Sequence, residues 1–144
     1  MSRALCPLCQ PQEPETVLWQ DDFCRVVWVD DEDYPGFCRV ILHAHVGEMT
    51  DLPEIQRQRL MSVVFAVERT VRQAVKPDKI NLASLGNYVP HLHWHVIPRW
   101  RKDITFPHAI WAPPRRRGGK PDIDMTELER RLTGTLHRSL ASSP

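Results

Sequence analysis

His91-Leu-His-Trp-His-Val-Ile97 is the stretch on which the reading of this chain turns. Histidine recurs at every second position, and the residues between, Leu92, Trp94 and Val96, are apolar and favour strands. Successive side chains of a β-strand point to opposite faces. The pattern therefore predicts a strand over 92–97, with Pro98 ending the run. His91, His93 and His95 would share one face at steps of ~6.5–7 Å. Leu92, Trp94 and Val96 would pack into the core. Three imidazoles in a row admit three roles. A neutral imidazole is a competent nucleophile near neutrality, because its reference pKa is ~6.5. A second imidazole can then stabilise charge on a phosphoryl oxygen or protonate a leaving group, which suits phosphorus chemistry. Alternating histidines on a strand also present metal ligands, and they also occur on exposed polar strand faces. On the residues alone all three stay open.

Outward from this run, Lys79 to Leu85 reads as a further strand, with Gly86-Asn87 turning back into the histidines. Asp51 to Val75 carries Leu60, Val64, Val67, Val71 and Val75 at three- and four-residue steps. That predicts a long amphipathic helix with its arginines on the opposite face, Thr50 or Asp51 as cap, Pro53 in the first turn and Pro77 after its end. Thr16 to Gln20 and Phe23 to Val29 read as a hairpin turning at Asp21-Asp22. An acidic loop over 30–36 leads to a third strand, Phe37 to Leu42. Prolines 107, 113, 114 and 121 exclude long regular elements after Trp100. Arg115-Arg-Arg-Gly-Gly-Lys120 reads as a solvated loop or a phosphate grip. Met125 to Leu140 reads as a charged helix, and the last four residues as a frayed end. About five strands, one long helix and a C-terminal helix make an α+β fold. One domain is expected over 1–144, with its core at about 4–111 and a basic, proline-containing extension over 112–144.

Composition narrows the function classes. A chain of 144 residues with 42% hydrophobic and 26% charged residues is a soluble globular type that buries its own core. A formal net charge of +1 gives no bulk attraction to nucleic acid or membrane. No apolar run approaches the ~18 residues of a membrane span, and Met1 to Cys6 lacks the apolar segment of a signal peptide. The expected compartment is the cytoplasm. There Cys6-Pro-Leu-Cys9 reads as a metal or redox pair rather than a disulfide, although two cysteines supply only half of a four-coordinate site. Cys24 and Cys38 lie in expected strands and read as small buried hydrophobes.

The stretch 91–97 resembles the signature of the histidine triad (HIT) family at all seven positions. Gly86-Asn-Tyr-Val89 is similar to the family's glycine-plus-amide turn, with Asn in place of the commoner Gln. Gly36 to Val46 resembles the family's strand ending in a His-Val pair, and the helix from Asp51 sits where the family's long helix falls. The resemblance covers about 4–111. It implies an antiparallel sheet, usually a homodimer, and action on nucleoside phosphoramidates, dinucleoside polyphosphates or related nucleotide conjugates. It implies His93 as the nucleophile at the α-phosphorus, through a nucleotidyl-histidine intermediate. His95 would then contact phosphate and assist the leaving group, and His91 would complete the catalytic triad. By the same resemblance Asn87 holds a phosphate oxygen, Asp30 (or Asp31) meets the ribose, Asn81 reaches toward the phosphate, and the region of Trp111 shapes leaving-group preference. Branches with an N-terminal C-x-x-C pair imply structural zinc on Cys6, Cys9, His45 and His91, with His43 as the alternative to His45. A nucleotide-binding module with little catalysis and a metalloprotein with the triad as ligands are the competing readings.

Overall fold

The computed structural model describes residues 1–140. The expected frayed end over 141–144 lies outside them. Five strands, β1 (Thr16–Gln20), β2 (Cys24–Trp28), β3 (Cys38–Leu42), β4 (Lys79–Ala83) and β5 (His93–Arg99), form one antiparallel sheet in the order β1-β2-β3-β5-β4. Two helices, α1 (Glu54–Val75) and α2 (Met125–Leu140), pack on each other; α1 lies against β3 and β5, and α2 against β1. This is the expected α+β architecture. No helix among the described residues is long and apolar enough to cross a membrane.

Alternation decides which face of the sheet meets the helices. Val26, Cys38, Val40, Leu42 and Val96 are buried in the main core with Leu60, Val64, Val67 and Val71 of α1, and Trp94 packs against them. Cys24 and Cys38 are buried, and burial pushes both thiols up to about 12, as suits inert apolar side chains. The other sheet face carries Arg39 opposite His95 and Ile41 opposite His93 across β3 and β5. The segment read as an extension supplies Leu128, Leu132 and Leu136 to the same core.

Three expectations change in detail. First, α1 begins at Glu54, and neither Thr50 nor Asp51 caps it; Pro53 is the N-cap residue, and no side chain bonds there. A residue before proline is driven to extended backbone, and Leu52 has ψ 141°. The helix therefore cannot run through 51–53, and Met49–Asp51 forms a separate 3-10 turn. Second, β5 continues through Pro98 to Arg99. The Arg99 carbonyl accepts from Asp78 N–H, so Arg99 faces β4 and Pro98 faces the β3 side. Pairing with β3 stops at Val96, so the missing Pro98 N–H breaks no ladder bond. Third, Arg115–Lys120 is docked rather than free: Arg116 donates to the Asp103 and Phe106 carbonyls, and Lys120 pairs with Glu32. The Asp21 turn is as expected, with its carboxylate accepting from Phe23 and Cys24 N–H.

Candidate active site and metal centre

The three histidines divide between two environments. His91 precedes β5 and is 1% exposed. Its Nε2 lies 2.6 Å from the Leu42 carbonyl, which can only accept. The proton therefore sits on Nε2, and Nδ1 carries a lone pair. That Nδ1 lies 3.5 Å from Cys6 Sγ, 3.4 Å from Cys9 Sγ and 3.3 Å from His45 Nδ1. His45 repeats the pattern, its Nε2 donating to the Met1 carbonyl at 2.9 Å. Two lone pairs face each other at 3.3 Å, an arrangement that repels unless a cation lies between them. Cys6, Cys9, His45 and His91 thus bring four donor atoms within 4.8 Å of one another and could hold a metal ion. Burial, and then Cys6, push the Cys9 thiol up; a bound cation reverses that preference.

His43 does not join this group. β3 ends at Leu42, so alternation no longer relates 43 to 45, and His43 turns its Nε2 to the Asp21 carbonyl. Of the two histidines, His45 is the one whose ring nitrogen lies in the donor group.

His93 is the first residue of β5, one position later than the expected strand start, so the regular alternation begins there and leaves His91 outside it. Its Nδ1 donates to the His91 carbonyl at 2.7 Å, which leaves the lone pair on Nε2. The His93 and His95 rings meet edge to face at 5.1 Å, closer than the backbone repeat along a strand. His95 is 5% exposed, and its buried Nδ1 has no partner. Burial, followed by the charge of Arg39 and the proximity of His93, pushes its pKa down to about 4. His95 is therefore neutral at physiological pH.

Two cavities of about 340 Å³ each open on this pair. One runs along Leu85 to Val89 to Trp111; the other runs past Leu8, Pro11 and Glu13 to Arg39. His93, His95 and Val89 line both. Gly86, with φ +74°, turns the chain so that Asn87 lines the first cavity. Asp30 lines neither and is exposed beyond β2. Asn81 lies one strand away with its amide oxygen taken by Arg99.

Sequence reasoning missed the support behind Trp111. Arg99 is 1% exposed and forks onto Asp103 at 2.8 and 3.0 Å. It also donates to Asn81, Thr105 and the His108 carbonyl. Burial pushes Asp103 up, but the Arg99 fork and the N–H groups of Trp100 and Phe106 outweigh it and hold the carboxyl below the usual range. This network ties 100–108 to the sheet; three residues further on, Trp111 stands edge-on to His95 at 5.0 Å. A Pro-Arg pair directly after the histidines was the signal available, but sequence alone does not reveal that the arginine is buried.

Residues 10–102 match the family model described as the HIT domain. The chain belongs to the histidine triad family. Relatives include the AP-4-A phosphorylase of Mycobacterium tuberculosis, 30% identical over 78 residues, covering 50% of this chain and 40% of that one. The match thus spans less than half of the phosphorylase. Adenylylsulfatase HINT3 of Arabidopsis thaliana is 25% identical over 146 residues, covering 96% of this chain and 70% of that protein. Among solved structures, a histidine triad protein from Bradyrhizobium japonicum has TM-score 0.68 and 29% identity, covering 86% of this chain and 89% of that one. A Zn-bound histidine triad family protein from Mycobacterium smegmatis shares the fold, with TM-score 0.66 at 21% identity over 99% of this chain and 100% of that one.

Proposed function

We propose that this HIT protein is a nucleotidyl hydrolase or transferase in which His93 attacks the α-phosphorus of a nucleotide conjugate. The observation that carries this reading is the His93 tautomer. With Nδ1 donating to the His91 carbonyl, Nε2 keeps its lone pair on a side chain that lines both cavities. Attack forms an Nε2–P bond as the bond from phosphorus to the leaving group breaks. Water or another acceptor then attacks phosphorus and restores the imidazole. Asn87 and His95 are assigned to phosphate oxygens. Asp30, assigned to the ribose, and Asn81, assigned to the phosphate side, line neither cavity. The relatives' names, a phosphorylase and an adenylylsulfatase, fit cleavage at a nucleotide phosphorus.

The four-donor group fits zinc. Tetrahedral zinc with Zn–N of ~2.0–2.1 Å and Zn–S of ~2.3 Å separates its ligand atoms by ~3.3–3.8 Å; the Cys6–His91, Cys9–His45, Cys9–His91 and His45–His91 contacts run from 3.3 to 3.5 Å, and all four donor atoms lie within 4.8 Å of one another. Both histidines have the carbonyl partner that fixes a ligating tautomer. Zinc would be structural, anchoring the chain just before His93. That role argues against a catalytic metal on the whole triad, because His93 and His95 stand outside the donor group. Pairing of two chains through the edge strand β4 belongs to the same reading; Leu82 on β4, Leu85 just beyond it and Phe65 on α1 are exposed.

The test is turnover of a nucleoside phosphoramidate, a dinucleoside polyphosphate and adenylyl sulfate, with release of nucleoside monophosphate as the readout. Trapping a nucleotidyl group on His93 by rapid quench and mass spectrometry supports the intermediate. Tight nucleotide binding without turnover on any of the three supports the binding-module alternative instead.

A further inference from the structure

We propose that Arg39 is an anion-binding residue that receives an oxyanion in the leaving group, so that the site favours nucleotides joined through phosphate or sulfate over those joined to an amine. This rests on the reading of His93 as the group that attacks phosphorus.

Arg39 stands directly across from His95 in the β3–β5 register and lines the second cavity with His93 and His95. Its Nε is buried without a hydrogen-bond partner, and among the described residues no carboxylate pairs with its guanidinium. Glu15, the acid whose charge acts on Arg39, has both oxygens taken by Arg25 at 2.7 and 3.1 Å. Glu13 also lines this cavity but is exposed and makes no ion pair with Arg39. The Phe37 ring lies 5.8 Å from the guanidinium and offers only a weak cation–π contact. A cation half-withdrawn from water without a counter-charge is costly, and the planar fork of arginine matches phosphate and sulfate oxygens.

The chemistry points the same way. When His93 Nε2 bonds to phosphorus, the broken P–O bond leaves its electron pair on the departing oxyanion. Such a group needs no proton, and Arg39 balances its charge. Water then adds to phosphorus, the N–P bond breaks, and a proton goes to solvent. An amine leaving group must instead take up a proton as its P–N bond breaks. His95, neutral beside Arg39, is a poor source for it.

The experiment compares the wild-type chain with Arg39→Met and Arg39→Lys. One arm measures kcat/KM for a dinucleoside polyphosphate, adenylyl sulfate and adenosine phosphoramidate, which share a nucleotidyl group. The ratio of oxyanion-leaving to amine-leaving substrates should fall on the order of 10- to 100-fold in Arg39→Met and partly recover in Arg39→Lys. A fall confined to one oxyanion identifies phosphate or sulfate as the fitted group. A second arm titrates inorganic pyrophosphate by calorimetry, where Arg39→Met should weaken Kd about tenfold. Unchanged ratios together with unchanged pyrophosphate affinity overturn the proposal. If the wild type turns over none of the three substrates, the nucleotidyl reading fails, and the pyrophosphate titration still decides on Arg39. If Arg39→Met does not fold, Arg39→Lys, which keeps a charge but loses the fork, must still lower the ratio.

Discussion

His91 and His93 stand two residues apart and carry opposite tautomers. Each gives one ring N–H to a main-chain carbonyl: His91 through Nε2 to Leu42, His93 through Nδ1 to His91 itself. The free lone pair is consequently on Nδ1 in the first and on Nε2 in the second. His91 is sealed among Cys6, Cys9 and His45. His93 lines two cavities. On the proposed reading, one residue type thus serves as ligand and as nucleophile two positions apart. Backbone hydrogen bonding decides between them, by choosing which nitrogen keeps its lone pair and what that nitrogen faces.

Removing either histidine's function should separate the two regions. His93→Ala should lower release of nucleoside monophosphate by about 10⁴-fold, since little of a covalent route survives loss of its nucleophile. Its metal content by atomic emission and its melting temperature should stay near wild type; a variant that also loses metal would merge the two regions. The reciprocal change is Cys6→Ser with Cys9→Ser, or chelation of the wild type. Either should empty the metal centre and lower the melting temperature by about 15 °C. Activity at a temperature where that variant stays folded should fall far less than in His93→Ala. A loss as large as that of His93→Ala would make the metal part of the chemistry.

The sequence made these two regions unequally legible. Alternation at 91–97 gave the strand and the inward faces of Trp94 and Val96, because period-two burial is a local property. The ligand partner of Cys6-Pro-Leu-Cys9 was harder. The resemblance put His45 first and kept His43 as the alternative; what separates them is where each ring turns beyond β3, His43 to the Asp21 carbonyl and His45 to the donor group. Arg99 was not legible at all, because its partners Asp103, Thr105 and His108 meet it through a loop whose path no periodicity encodes. It tests whether the cleft depends on a wall outside the triad. Arg99→Met strands the buried Asp103 carboxylate and should cost roughly 3–5 kcal/mol in urea unfolding. Asp103→Asn in the same background should recover part of that loss. If Arg99→Met is neutral, Trp111 is held by something other than this network.

The smallest expected effect concerns the pH response of the cleft, carried by His95 rather than by the four-donor group. Its pKa lies at about 4 in the folded chain, chiefly through burial, against ~6.5 when unfolded. Between those values the unfolded chain binds a proton that the folded chain refuses. Stability therefore rises with pH across this window. The contribution is complete above about pH 6.5 and is lost progressively toward pH 4, amounting to roughly 3 kcal/mol for this one group. Other groups also contribute to the pH response of stability, so the useful quantity is a difference. His95→Gln removes the titration, and its stability should fall less steeply than wild type from pH 6.5 to 4.5 in paired urea melts. Asp103 is held below the usual range and gives way only at the acid end, equally in both proteins. Parallel curves would mean that His95 is solvated in solution, and the cleft would then have a protonated imidazole within reach of an amine leaving group. A bound oxyanion should act in the opposite direction, raising the His95 pKa by supplying negative charge beside it. The slope of stability against pH should therefore flatten when inorganic pyrophosphate is present at saturation.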